Sequence, residues 1–167
     1  PYAERKKWNE LWIVDPLDGT KEFVKRNGEF TVNIALVRDT APVLGVIYQP
    51  VTKALYFAAK DKGSYKIARV SGPFGTYDVL VAKAVVIPLE HPHRKFTAVA
   101  SRSHMSPETL ALIEKLKTEH KEVELVSAGS SLKFCLVAEG RADIYPRFAP
   151  TMEWDTAAGQ AIVEQSG

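Results

Sequence analysis

The sequence predicts an α/β protein with an antiparallel, strand-rich first lobe over residues 1–87 and a mixed α/β second lobe over residues 88–167. Three observations carry that reading. From residue 31 to 67, short β-rich runs follow one another across turn residues, the pattern of a meander. Beyond residue 96, strand-like runs alternate with runs at helical spacing, the pattern of an α/β layer. Between the two, Ile87-Pro88-Leu89-Glu90-His91-Pro92-His93-Arg94 holds two prolines, mixed charge and no periodicity, which marks a lobe boundary.

Each element follows from local chemistry. Residues 2–10 are polar with scattered aromatics and read as an approach loop. Trp12-Ile13-Val14 is an apolar strand that turns at Pro16 and Gly19. Residues 31–37 alternate, with Val32, Ile34 and Leu36 on one face, and residues 38–42 turn into a strand over 43–48 with Gly45 inside it. Strands over 54–59 and 64–67 follow turns at 50–53 and 61–63. Residues 96–100 read as a short buried strand. Ser106-Pro107-Glu108 opens a helix with a cap residue, proline at the first helical position and an acid in the first turn. Leu110, Ile113 and Leu116 continue it. A strand over 124–126, a helix over 131–139, a strand over 143–147 and a helix over 155–164 complete the pattern.

Composition narrows the function classes. The 167 residues, 46% hydrophobic and 25% charged, can bury a sizeable core without disulfides. A formal charge of +2 makes no electrostatic case for nucleic acid or an anionic membrane. Arg5-Lys6-Lys7 is too short for a basic tail and reads as a solvated face. The lone Cys135, among Phe134, Leu136 and Val137, excludes an internal disulfide and predicts a buried thiol in a reducing, cytoplasmic setting. No run approaches a transmembrane span and no signal-peptide pattern opens the chain. Pro1 at the start, and an end just after a helical run, read as a shortened piece.

The chemistry lies in Asp15-Pro16-Leu17-Asp18-Gly19-Thr20, where two carboxylates emerge at a strand end. Carboxylates held that close repel each other unless a cation sits between them. Mg²⁺ is bound by one or two carboxylates together with phosphate oxygens, and the backbone N–H groups of Gly19 and Thr20 can face an anion as loop nests do. Asp-Pro and Asp-Gly are also ordinary turn dipeptides. Yet the string fixes five positions, and a chance match in a chain this long is on the order of one in ten thousand at average residue usage. A phospho-aspartate site of the haloacid-dehalogenase kind has one residue between its aspartates; here Pro16 and Leu17 both intervene. His91, His93 and His120 sit in polar surroundings and read as surface residues. His91 and His93 have the spacing of two zinc ligands on a strand, without a third.

This string matches the first signature of the inositol monophosphatase superfamily of metal-dependent, lithium-sensitive phosphatases. Trp154-Asp155-Thr156-Ala157-Ala158-Gly159 matches the second. Lys21-Glu22-Phe23 and Gly129-Ser130-Ser131-Leu132-Lys133-Phe134 resemble the CysQ branch, the 3'(2'),5'-bisphosphate nucleotidases, and the resemblance runs across essentially the whole chain. It implies a layered α/β sandwich of the sugar-phosphatase type and two or three Mg²⁺ ions. Asp15 would bridge two of them, the Leu17 carbonyl would ligate the first, and Asp18 and Asp155 the second. Thr20 would orient the attacking water. Leu17, Asp18, Gly19, Thr20 and Asp155 would meet the substrate, with Ser130, Lys133 and Arg147 lining the nucleotide and its second phosphate and His104 near the base or ribose.

Those roles suit the residues. Asp155 at a helix start also meets the positive end of the dipole, and the small Ala157, Ala158 and Gly159 let that helix pack close to the strand of Asp15. Ser130 and Lys133, three apart at a helix start, project from one side. Arg147 can grip two phosphate oxygens at once. The superfamily's upstream Glu-Glu motif has no counterpart: Glu4 and Glu10 are the only acids before Asp15, and neither sits in such a pair.

The implied reaction is hydrolysis of the 3'-phosphate of adenosine 3',5'-bisphosphate to AMP and phosphate by metal-activated water, a step of sulfur metabolism. The partner is a small-molecule nucleotide, not nucleic acid. The alternatives are an inositol monophosphatase-like sugar phosphatase, or a nucleotide- or metal-binding fragment without turnover. An uncovered apolar sheet face leaves homodimerisation open, and the resemblance leaves open a peripheral place at the inner membrane.

Overall fold

The computed structural model of the chain describes residues 2–91, 94–100 and 105–167. A six-stranded antiparallel sheet carries β1 (Glu10–Asp18), β2 (Thr31–Arg38), β3 (Ala41–Gln49), β4 (Ala54–Ala59), β5 (Gly63–Ile67) and β6 (Val85–Ile87) in sequence order. Asp39 and Thr40 both take positive φ, 48° and 70°, between β2 and β3, as a two-residue hairpin loop requires. The meander the sequence predicts is therefore one sheet, extended by β6.

The first departure is at β1. It does not turn at Pro16 but continues to Asp18, and its register against β2 slips between Asp15, opposite Asn33, and Asp18, opposite Thr31. Three steps along β1 match two along β2. Pro16, which has no N–H to give the ladder, sits in that bulge. A one-turn helix α1 (Tyr2–Arg5) stands where the sequence predicts a loop, and helices α2 (Thr20–Lys25) and α3 (Tyr77–Val81) are additional.

Helices α5 (Leu132–Ala138) and α6 (Glu153–Glu164) pack on the sheet. They cover the face of β2 that carries Thr31, Asn33 and Ala35, exposed by 0%, 2% and 1%. Val32, Ile34 and Leu36, the more apolar set, are only half-buried on the other side. On that same outer face Trp12 and Val14 of β1 stay 58% and 50% exposed. The main core joins Ala35, Ile47, Tyr56 and Ile87 of the sheet to Cys135, Ala138, Ala158 and Ile162 of the helices, so it runs across residue 88.

A second, parallel pair, β7 (Phe96–Val99) and β8 (Val123–Val126), is connected by α4 (Pro107–His120), with Ala98, Ile113 and Leu116 packed between them. Ser106 caps α4 by accepting the N–H of Thr109, as its sequence predicts. The strand expected over 143–147 shrinks to a single bridge between Ile144 and Ala98. Pro146 removes a ladder donor, and Asp143 turns its carboxylate onto Arg94 and the Thr97 N–H. Of the predicted surface histidines, His91 donates from Nε2 to the Glu139 carbonyl and His120 stacks on Phe96. His93 lies outside the described residues. No helix among the described residues is long and apolar enough to cross a membrane.

Two contacts set the core's tolerance. Burial pushes the Cys135 thiol well up, which fits the predicted inert thiol. Nearby, buried Glu139 accepts from the Tyr56 hydroxyl and pairs with Lys66 at 2.8 Å. Removing one partner of such a pair leaves an uncompensated buried charge, so Glu139→Ala should cost about 3–5 kcal/mol in denaturant unfolding. The second contact is the approach of α6. A Cβ on Gly45 of β3 would lie 2.4 Å from the Ala158 carbonyl oxygen, and one on Gly159 would lie 2.3 Å from the Phe134 ring. Gly45→Ala and Gly159→Ala should each cost about 1–3 kcal/mol. Gly75→Ala, with nothing within 4 Å, should stay within about 0.5 kcal/mol. Equal costs at all three positions would show that close packing of α6 is not the constraint.

Candidate metal centre

The bulge in β1 turns Asp15 and Asp18 to the same end of the sheet, and the first turn of α6 brings Asp155 to meet them. One ligand atom from each of the three lies within 4.8 Å of the other two. This is the convergence the two sequence signatures predict, achieved by residues 140 positions apart.

Each carboxylate is held by the chain. Asp15 Oδ1 accepts the N–H of Leu17 at 3.0 Å, so Leu17 sits in the bulge with its amide folded back on the acid before it. Asp155 is the third residue of α6. Its Oδ2 accepts from the Met152 N–H at 3.0 Å and the Thr151 hydroxyl at 2.8 Å, the reciprocal half of a capping box. Asp18 is held most tightly. Its Oδ2 receives the Ser130 hydroxyl at 2.5 Å, the Ser131 N–H and hydroxyl at 2.8 Å each, and the Asn33 amide at 3.2 Å.

The loop that supplies those donors is itself anchored. Glu29 accepts the N–H of Gly129 at 2.8 Å. A Cβ at Gly129 would lie 2.6 Å from Glu22 Cγ, so only glycine fits beneath it. Ser130 then adopts a left-handed φ of 55°, and Ser131, at the N-cap position of α5, gives its hydroxyl to Asp18 and not to the helix. The Ser130 hydroxyl is turned onto the carboxylate and the carbonyl of Asp18.

Asp18, Ser130 and Asp155 edge a cleft of ≈ 370 Å³ whose walls include Thr20, Lys21, Glu22, Lys133, Tyr145 and Arg147. Thr20 is the exposed first residue of α2, behind Gly19 at φ 88°. Lys133 Nζ donates to the Ser130 carbonyl at 2.8 Å and the Ala128 carbonyl at 3.3 Å and lies over the Tyr145 ring. Burial holds its pKa below the usual lysine range; Asp18 pulls it back up and Arg147 pushes it further down. Arg147 is exposed and donates to the Tyr145 hydroxyl and the Pro150 carbonyl. His104 lies outside the described residues. Glu4 is exposed and Glu10 pairs with Arg38; among the described residues neither joins the acidic cluster.

The donor set fits a hard divalent cation, since oxygen ligands at this spacing are what Mg²⁺ and Ca²⁺ take. Burial raises the Asp15 carboxyl above its ordinary value, the Leu17 N–H opposes this, and the charges of Asp18 and Asp155 raise it further. A cation would relieve that repulsion. The sequence reading missed Thr31, Asn33, Ser131, Thr151 and Glu29. The signal for two of them was available: Thr31 and Asn33 are polar residues at alternate positions of a strand, and such a pair on one face is either solvated or committed to a buried network.

Three converging carboxylates beside a cleft that holds Lys133 and Arg147 define a candidate metal centre. The inositol monophosphatase family model matches residues 3–167, and the chain belongs to that family. It is 48% identical over 163 residues to the 3'(2'),5'-bisphosphate nucleotidase CysQ of Salmonella typhimurium, which covers 98% of this chain and 59% of that protein. It superposes on the crystal structure of CysQ from Bacteroides thetaiotaomicron with a TM-score of 0.92 and 59% identity, over 99% of this chain and 62% of that one. Against inositol monophosphatase from Anabaena the TM-score is 0.70 at 26% identity, over 97% and 60%. The chain thus spans about three fifths of the length of the curated relatives it matches.

A raised carboxyl has a definite sign in stability. Asp15 contributes stability that is present when it is protonated, below the ordinary carboxyl range, and lost as pH rises through its folded-state value. Asp15→Asn should therefore raise the thermal midpoint of the chelated chain at neutral pH and reduce its gain on moving to about pH 4. It should also abolish the stabilisation that a divalent cation gives the unsubstituted chain. A lower midpoint for the variant in chelator would contradict the charge crowding.

Proposed function

We propose that the chain hydrolyses a nucleotide phosphomonoester, releasing the 3'-phosphate of adenosine 3',5'-bisphosphate to leave AMP, with Mg²⁺ as its cofactor. The observation that carries this reading is the meeting of Asp15, Asp18 and Asp155 within 4.8 Å at the edge of the cleft that holds Lys133 and Arg147. The identities to bisphosphate nucleotidases support the choice of substrate.

The three aspartates would hold the cation. When bound, Mg²⁺ supplies charge neutralisation at phosphate oxygens and makes water more acidic. The chain's own residues do the rest. The Gly19 and Thr20 amides open α2 without partners in that helix and are free to donate to a phosphate oxygen. The Thr20 hydroxyl, beside them and exposed, would orient the attacking water in line with the leaving oxygen. Lys133 has three protons, of which two go to carbonyls, leaving one for an anion in the cleft. Arg147 presents a guanidinium fork at its rim.

Those two cations favour a substrate with a second phosphate. An inositol monophosphate has one anionic group, which the metal centre would take, leaving none for Lys133 and Arg147. Kinship carries the choice of a nucleotide, and these two cations agree with it. The lone buried thiol suits a cytoplasmic enzyme.

Phosphate release from adenosine 3',5'-bisphosphate and from inositol 1-phosphate, measured side by side, tests the reading. Asp15→Asn should lower the rate on either by about 10²-fold or more, the scale of losing a preorganised charge-stabilising group. Arg147→Ala should raise KM for the bisphosphate and leave the inositol ester little changed. Near-normal turnover by Asp15→Asn would remove the metal-site mechanism. A faster rate on the inositol ester would move the chain to the sugar phosphatases.

A further inference from the structure

The metal-centre reading leaves one feature of the site unused: a polar network sealed under the sheet. From it we infer that Thr31, Asn33 and Ser131 are positioning residues that make Asp18 a one-oxygen ligand and so bias the centre toward Mg²⁺ over Ca²⁺. The inference rests on the proposed metal site and adds a selectivity to it.

The groups around Asp18 form one connected set. Thr31 Oγ1 lies 2.5 Å from Ser130 Oγ, 2.9 Å from Asn33 Oδ1 and 3.4 Å from Asp18 Oδ2, and the Asn33 NH₂ faces the acid. That NH₂ donates to Ser131 Oγ at 2.8 Å and to Asp18 Oδ2 at 3.2 Å. Ser131 Oγ, already accepting, sends its own proton to Asp18 Oδ2 at 2.8 Å, and its backbone N–H goes to the same oxygen at 2.8 Å. The Ser130 hydroxyl completes the set at 2.5 Å. Four donors within 3.2 Å, and the Thr31 hydroxyl at 3.4 Å, thus crowd one carboxylate oxygen, which has about two lone-pair directions to offer. Oδ2 has no acceptor direction left for a cation.

Thr31, Asn33 and Ser131 are exposed by 0%, 2% and 1%. Water cannot replace a lost partner there, so the network holds its geometry or fails as a unit. The other two acids follow the same rule more loosely. Asp15 gives Oδ1 to the Leu17 amide, and Asp155 gives Oδ2 to Thr151 and the Met152 amide. Asp155 Oδ2 is thereby filled like Asp18 Oδ2, while Asp15 Oδ1, with one donor, keeps a lone pair.

One-oxygen carboxylates discriminate between cations. Mg²⁺ demands near-octahedral geometry with single oxygens, whereas Ca²⁺ takes six to eight ligands and readily accepts a carboxylate edge-on. A carboxylate pinned by Oδ2 cannot rotate to present both oxygens. Breaking the network frees that rotation, which lowers the fit for Mg²⁺ and opens an edge for Ca²⁺.

Calorimetric titration of Mg²⁺ and of Ca²⁺ into the unsubstituted chain, Asn33→Ala, Thr31→Val and Ser131→Thr tests this. Asn33→Ala should weaken Mg²⁺ binding by about 10- to 100-fold, the range for residues that orient metal ligands. Ca²⁺ binding should hold or tighten. Thr31→Val, which keeps the shape and loses only the hydroxyl, should shift the Mg²⁺/Ca²⁺ ratio the same way by less, and it decides the matter if Asn33→Ala does not fold. Ser131→Thr, which keeps both donors, should preserve the ratio. Loss of both cations in equal measure, or a lowered thermal midpoint with an unchanged ratio, would overturn the inference while leaving the metal site standing. An unsubstituted chain that binds neither cation would defeat the metal-site reading, and this inference with it.

Discussion

Helix α6 reaches the end of β1 because β3 gives up its side chain at Gly45. The backbone of α6 occupies the space a Cβ would need, with the Ala158 carbonyl 2.4 Å from that point. Ala157, Ala158 and Ala161 keep the helix surface shallow where it meets the sheet, and Gly159 leaves room for Phe134 of α5 on its flank. Deeper contact would be gained with larger side chains, at the cost of distance. The helix start would then stand off from the strand end, and Asp155 would no longer share a centre with Asp15 and Asp18. Small residues here trade hydrophobic area for proximity.

Proximity has an electrostatic cost, and the chain meets it with donors instead of cations. Lys133, the nearby positive charge most buried, turns two of its protons to carbonyls and stands at the cleft wall. The aspartates are instead stabilised by amides and hydroxyls: one on Asp15, two on Asp155 and four on Asp18. Neutral donors favour a carboxylate without cancelling its charge. A site built this way keeps its field for an incoming cation, whereas an arginine paired to the same acids would have quenched it. The raised Asp15 carboxyl reflects burial first, with the charges of Asp18 and Asp155 adding to it.

The sequence was most legible where one residue determines its own neighbourhood. Ser106 and Pro107 start α4 because a cap hydroxyl and a fixed φ act locally. The meeting of Asp15, Asp18 and Asp155 was expected from two signature strings of a family, not from any local rule. Legibility failed where partners are distant. Alternation in β2 separates its two faces but does not say which of them α5 and α6 will cover, and the more apolar set proved to be the less buried. Nothing local marks the loop 129–131 as the donor of three bonds to a residue 112 and 113 positions away. The segment 143–147 has strand-forming residues, but its tertiary partners, Arg94 and Thr97, hold it by a side chain.

This distribution has a consequence for how the site forms. Its ligands and their supports come from β1, the start of β2, the loop before α5 and the first turn of α6, so no contiguous stretch contains it. The sheet supplies two acids and Asn33, and the helices supply the third acid and the serines. Neither group holds an ordered Asp18 without the other. A cation bound there interacts with the folded chain and finds no comparable cluster in the unfolded one, so its binding free energy adds to the stability of the whole sheet–helix core through mass action. The meeting of the three acids and the packing of α6 depend on one structural fact, and a change that loosens either must be felt in the other.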